Sequence, residues 1–102
     1  MKLISIKPST VSGKKLTAKF CACKTGNNSC PDKDKVTIHF GSATSTTYAE
    51  GASDEKRDAY IARHKVNENW DKINAGSLSR YVLWSHKSLK EGIAEFKRRF
   101  HC

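Results

Sequence analysis

The chain has 102 residues, with 19 Lys plus Arg against 10 Asp plus Glu and a net charge of +9. That length allows one domain (1–102) with a small core, and it excludes two sheets around a deep substrate cavity. No run approaches the ~18 apolar residues of a membrane-spanning helix, and the apolar start Leu3–Ile6 is too short for a signal-peptide core, so an intracellular-type domain without a membrane span is expected.

Leu3-Ile4-Ser5-Ile6 alternates weakly and reads as a first strand, closed by Pro8 and the Ser/Thr cluster up to Gly13. Lys15–Cys21 alternates apolar and polar residues as a half-buried second strand. Residues 24–32 are dense in turn formers. Lys35–Phe40 is a third strand with Val36, Ile38 and Phe40 on one face, ended by Gly41, and His39 is expected on the opposite, open face. Ser42–Ala52 reads as a polar loop. A helix opens at Ser53, with Asp54 and Glu55 at the positive end of its dipole, and runs to about Lys65 with Arg57, Tyr60, Ile61 and His64 along one face. Residues 66–76 form a connector anchored by Trp70. Ser77 is expected to cap a second helix whose stretch Tyr81-Val82-Leu83-Trp84 is apolar all round and therefore buried. Ser88-Leu89-Lys90-Glu91 is a capping box, and Leu89, Ile93, Phe96 and Phe100 make the apolar stripe of a last helix. Strands (1–41) followed by helices (53–100) point to an α+β fold: a small three-stranded antiparallel sheet with three helices packed on one face.

The charge is unevenly spread. Residues 1–41 carry +6 through lysine alone, and residues 42–102 carry +3 with all five arginines. Such an excess favours contact with something anionic, although lysine-rich strands also serve simply to keep a small protein soluble. Lys14, Lys15, Lys19, Arg57, Arg63, Lys97, Arg98 and Arg99 are the candidate anion or nucleic-acid contacts. Lysine suits phosphate backbones as a non-directional charge, whereas bidentate reading of bases prefers arginine.

Cys21, Cys23, Cys30 and Cys102 fit no standard zinc spacing, so no metal is assigned to them. Free thiols are the expectation, with a hairpin disulfide such as Cys23–Cys30 as the alternative. His39 and His64 could act as bases, but neither is accompanied by a carboxylate pair or a Gly-rich phosphate loop. Trp70, Tyr81 and Trp84 could stack on bases, and their spacing favours packing instead. No catalytic set and no cofactor motif is present, so the chain reads as a non-enzyme with no cofactor.

Several ordered strings carry a family resemblance. They are His39-Phe40-Gly41, Arg57–Lys65 with Tyr60 and His64, Glu68-Asn69-Trp70, Ala75-Gly76, Ser79-Arg80, Leu83-Trp84, Ser88–Lys90 and Phe96–Phe100. With these the chain resembles small basic proteins of unassigned function from large double-stranded DNA viruses of algae and amoebae. Its cysteine-bearing segment 21–30 departs from their pattern. The resemblance implies no activity, but it does imply a viral setting. The expectation is therefore a virion structural component, a minor capsid or internal scaffold protein contacting capsid or other virion proteins. It would be found in the virion, and in host cytoplasm or nucleus during assembly. The alternative is a sequence-nonspecific nucleic-acid-binding accessory protein that contacts phosphates.

Overall fold

The structure is a computed structural model and describes residues 1–22 and 30–102. Three antiparallel strands, β1 (Lys2–Pro8), β2 (Lys14–Cys21) and β3 (Lys35–Ser42), form one sheet in the order β1-β2-β3. Leu3 pairs with Phe20 and Ser5 with Lys19, so the register slips by one residue at Ile4. This bulge explains the weak alternation of the first strand: Leu3 and Ile6 both pack on the core, while Ile4 is left 49% exposed. Leu16, Ala18 and Phe20 of β2 and Phe40 of β3 are buried beneath the helices, with Val36 and Ile38 packed beside them. β3 runs one residue past the expected end at Gly41. That glycine has φ 80°, and a Cβ on it would lie 2.9 Å from Leu83 Cδ1, so it allows close contact with the helical layer.

Residues 42–52 are tied to the sheet. The Thr47 hydroxyl donates to Glu50 Oε1 at 2.8 Å, and Lys15 Nζ lies 2.8 Å from the same oxygen. As expected, Ser53 caps α1 (Asp54–His64), its hydroxyl accepting from the Lys56 amide at 3.2 Å.

The second helix differs from the expectation. Its cap is Asn74, whose side chain accepts from the Ser77 amide, and α2 (Ala75–Leu78) is a single turn. The chain then widens into a π-helical turn, Ser79–Leu83. An all-round apolar run has no period from which a boundary could be read, and the Ser77 hydroxyl closes a reciprocal cap with the Asn74 amide rather than starting a helix. Ser88 caps α3 (Leu89–Phe100) as expected, its hydroxyl accepting from the Glu91 amide at 3.2 Å, but the expected capping box is only half formed: the Glu91 carboxylate lies 3.6 Å from His86 Nδ1 instead of closing on the Ser88 amide. The α3 stripe holds at Ile93, Phe96 and Phe100, but Leu89 at the first position stays 39% exposed. Phe20, Phe40, Phe96, Leu78, Leu83 and Val82 are fully buried and join sheet to helices in one core.

The cysteine expectation is corrected. Cys21 and Cys30 are joined in a disulfide, with Cα atoms 6.0 Å apart, and are not free thiols. Cys21 ends β2 opposite Lys35, where the returning chain passes within bonding distance. Cys23, the other cysteine of the expected Cys23–Cys30 pairing, lies outside the described residues. The bond takes two thiols away from any four-cysteine metal site, and Cys102 remains free and half-buried. Among the described residues, no helix is long and apolar enough to cross a membrane.

Candidate functional site

Among the described residues the helices cover one face of the antiparallel sheet, and pairing aligns the side chains of the other, exposed or half-buried apart from its buried Cys21 end, in rows. Lys2, Cys21 and Lys35 share one row, Ser5, Lys19 and Thr37 the next, and Lys7, Thr17 and His39 a third. Neither Asp nor Glu occurs in any of the three strands. The middle of this face is a shallow concavity of about 400 Å³ lined by Lys7, Lys19, Thr17, Thr37 and His39. His39 faces it as expected, and its Nδ1 shares hydrogen bonds with the Thr17 hydroxyl at 2.7 Å and the Ser9 hydroxyl at 3.3 Å. The ring is held upright by its neighbours, among cations and hydroxyls. Such a surface can hold phosphate oxygens, but it has no acid–base pair.

The eight cations singled out from the sequence do not form one patch. Lys19 lies on the open face, while Lys14 and Arg63 line a separate groove. Lys15 is spent on Glu50: burial raises that carboxyl's pKa, but the Lys15 and Thr47 hydrogen bonds outweigh it and hold it below the usual value. Arg57 stacks 4.9 Å over the Tyr48 ring and sits 3.7 Å from Asp58. Arg98 and Arg99 clasp Glu95 at 2.7 and 2.9 Å, while Lys97 beside them stays exposed. Lys2, Lys7 and Lys56 were not singled out, because single strands and helices do not show which charges share a face.

The groove, of about 550 Å³, runs between the Gly13–Lys14 and Gly41–Ser42 end of the sheet and α1 and α2. Along it Trp84, Tyr60 and His64 form a stack, with ring centroids 4.4 Å and then 4.2 Å apart. Burial, with the Glu68 charge, pushes the Tyr60 phenol far above its usual pKa. His64 Nδ1 is bonded to Glu68 Oε2, and the Trp70 indole donates to Glu68 Oε1 at 2.9 Å. A Cβ at Gly76 would lie 2.8 Å from that oxygen, so the bare glycine makes room for the carboxylate. Glu68 is thus the partner that sequence reasoning did not give to His64. Its i+4 spacing was visible, but α1 ends at His64, and the turn that brings Glu68 back to the ring is held by the Asn67 and Glu68 amides, both bonded to the His64 carbonyl at 3.1 Å.

The remaining resemblance positions are structural. Phe40 and Phe96 are core, and Trp84 is packed against Tyr60 rather than open for stacking on a base. The Arg80 guanidinium lies between Trp70 and Tyr81, 5.4 and 5.2 Å from their rings, and burial lowers its pKa.

The model of a protein family described as a family of unknown function (DUF5754) matches residues 4–64, more than half of the chain. The match spans most of β1, all of β2 and β3, and α1. No curated protein and no solved structure matches the chain.

Proposed function

The chain belongs to the DUF5754 family, and we propose that it is a non-enzymatic binder of nucleic acid that grips phosphates through the open face of its sheet. The observation that carries this reading is the composition of that face: Lys2, Lys7 and Lys19, interleaved with Ser5, Thr17, Thr37 and His39, without one carboxylate in the strands. Lysine and hydroxyl side chains on a pleated surface contact backbone oxygens without reading bases, so binding is nonspecific in sequence and driven by counterion release. Fluorescence anisotropy with duplex DNA over a salt series tests it. The expected result is a steep fall of log K with log salt, and Lys7→Gln with Lys19→Gln flattens the slope by about 1.8, or about 0.9 for each phosphate no longer neutralised. A flat salt dependence, or an unchanged slope in the double variant, refutes the reading.

A second reading is supported by the outer edge of β1. Its strand edge is unpaired within the described residues, and Ile4 in the strand and Met1 just before it are each 49% exposed. An open edge with apolar side chains suits pairing with a neighbouring chain, as in a minor capsid or scaffold protein of a large DNA virus. In this reading purified particles contain the protein at stoichiometric, symmetry-related positions, and its absence from them rejects the role.

A further inference from the structure

The groove beside α1 shares no lining residue with the open face of the sheet and needs its own explanation. Three of its lining side chains, Lys14, Lys56 and Arg63, are exposed and form no ion pair or hydrogen bond among the described residues. Lys15, Arg98 and Arg99, by contrast, all have carboxylate partners. The groove has one carboxylate, Glu68, and both its oxygens are engaged by His64 and Trp70. Glu68 therefore holds the imidazole instead of neutralising the lysines.

The imidazole is fixed twice over. Stacking on Tyr60 sets the plane of the ring, and the bond from Nδ1 to Glu68 sets its rotation within that plane. With Nδ1 committed, Nε2 is the ring nitrogen left for a ligand in the groove. Gly76 and Trp70 support the carboxylate from behind, so the arrangement is built in several layers.

We propose that this groove binds a phosphate monoester, with Lys14, Lys56 and Arg63 supplying the charge and His64 Nε2 a directed hydrogen bond. Three uncompensated cations match a group that carries close to two negative charges at neutral pH better than the single charge of a phosphodiester. The volume of about 550 Å³ is that of a small-molecule cleft. The monoester comes either from a free mononucleotide or from the 5′ end of a nucleic acid, two sources with the same chemistry. Binding here is independent of what the sheet face holds.

The test follows the His64 ring resonances by NMR while inorganic phosphate replaces chloride at constant ionic strength. The expected result is a saturable shift at His64. Lys56→Gln and Arg63→Gln, both at exposed positions, each weaken binding about three- to tenfold, and Lys7→Gln with Lys19→Gln leaves it unchanged. An oligonucleotide that binds more tightly with a 5′-phosphate than without one identifies the nucleic-acid end as the source. A mononucleotide that binds as tightly as the phosphorylated oligonucleotide identifies the small molecule. A non-saturable response, or one that survives unchanged in the Lys56→Gln/Arg63→Gln double variant, overturns the proposal.

Discussion

Replacing a helical glycine by alanine usually stabilises a protein, by about 1 kcal/mol in helix propensity. Gly92 in α3 should do the opposite. A Cβ built there lies 2.0 Å from the carbonyl oxygen of Val82, 2.8 Å from its carbonyl carbon and 3.0 Å from its Cα. Carbon and carbonyl oxygen come no closer than about 3.3 Å, so α3 and the π-helical turn must separate by roughly 1.3 Å. The obstacle is backbone, which cannot rotate away as a side chain would. The separation also loosens the packing of Phe96 on Phe20, whose centroids are 6.1 Å apart and whose rings are fully buried. Overpacking of this kind costs about 1–3 kcal/mol, and a clash with backbone belongs at or beyond the upper end. Set against the propensity gain, Gly92→Ala should lose about 2 kcal/mol, or roughly 8–16 °C in melting temperature for a domain of this size. Thermal unfolding followed by circular dichroism measures it. Gly51→Ala is the control: with φ 106° and nothing within 4 Å of the added carbon, it bears only the backbone cost of about 1–2 kcal/mol. If Gly92→Ala melts at or above the wild-type temperature, the close approach of α3 to the turn is refuted.

Three further outcomes follow from the same structure. Reducing the Cys21–Cys30 bond, or replacing both residues by serine, should lower stability by roughly 2.5 kcal/mol in urea unfolding, the entropy of a loop closed over a sequence separation of 9; no change on reduction would mean the bond is absent in solution. Glu95 is raised by burial, but the His86 hydrogen bond and the Arg98 and Arg99 charges outweigh this and hold it below its usual value. Its contribution is therefore present above the ordinary carboxylate pKa and lost as pH falls through the depressed one. Wild type should exceed Glu95→Gln by less than about 1 kcal/mol at neutral pH, the arginines being half or more exposed, and the gap should close in acid. Tyr60 is raised above its ordinary value of 10.0, first by burial and then by Glu68. Above that value only the unfolded chain ionises this phenol, so stability falls as pH rises. One component of the phenolate absorbance should then appear together with loss of the circular dichroism signal, and Tyr60→Phe should remove it; full ionisation of an intact fold would contradict the burial of this ring.

The readability of the fold from sequence depended on whether a local signal had a competitor. Ser53 and Ser88 each stand directly before a helical period, and both cap as expected. Asn74 and Ser77 are both good caps three residues apart, and the tertiary contacts decide between them. The period-2 pattern of β2 and β3 places His39 on the open face, whereas the bulge at Ile4 is a pairing property that β1 alone cannot reveal. The disulfide is of the same kind. Cys21 and Cys23 are equivalent in spacing arguments, and the strand register selects Cys21. The His64–Glu68 pair was hidden because the helix period ends at His64, and the turn that continues it is fixed by backbone bonds.

The net charge shows the same distinction. A count of +9 cannot tell a cation that meets a ligand from one that holds the fold together. Pairing separates them. Glu50 and Glu95 bind Lys15, Arg98 and Arg99, and the Tyr48 hydroxyl, donating to Asp54 at 2.7 Å, lowers that carboxyl's pKa beneath the stacked Arg57. Half of the cations favoured by sequence are thereby committed within the molecule. Among the described residues, Lys7 and Lys19 on the open sheet face and Lys14, Lys56 and Arg63 around the His64 groove have no such partner, and the two concavities they line share no residue. The two can therefore be tested against each other. If one extended anion covered both, phosphate bound at His64 would compete with duplex DNA on the sheet, and Lys7→Gln with Lys19→Gln would weaken both. If they are separate sites, saturating phosphate should leave the salt slope of duplex binding unchanged, and the charge of this small chain would serve two distinct anions.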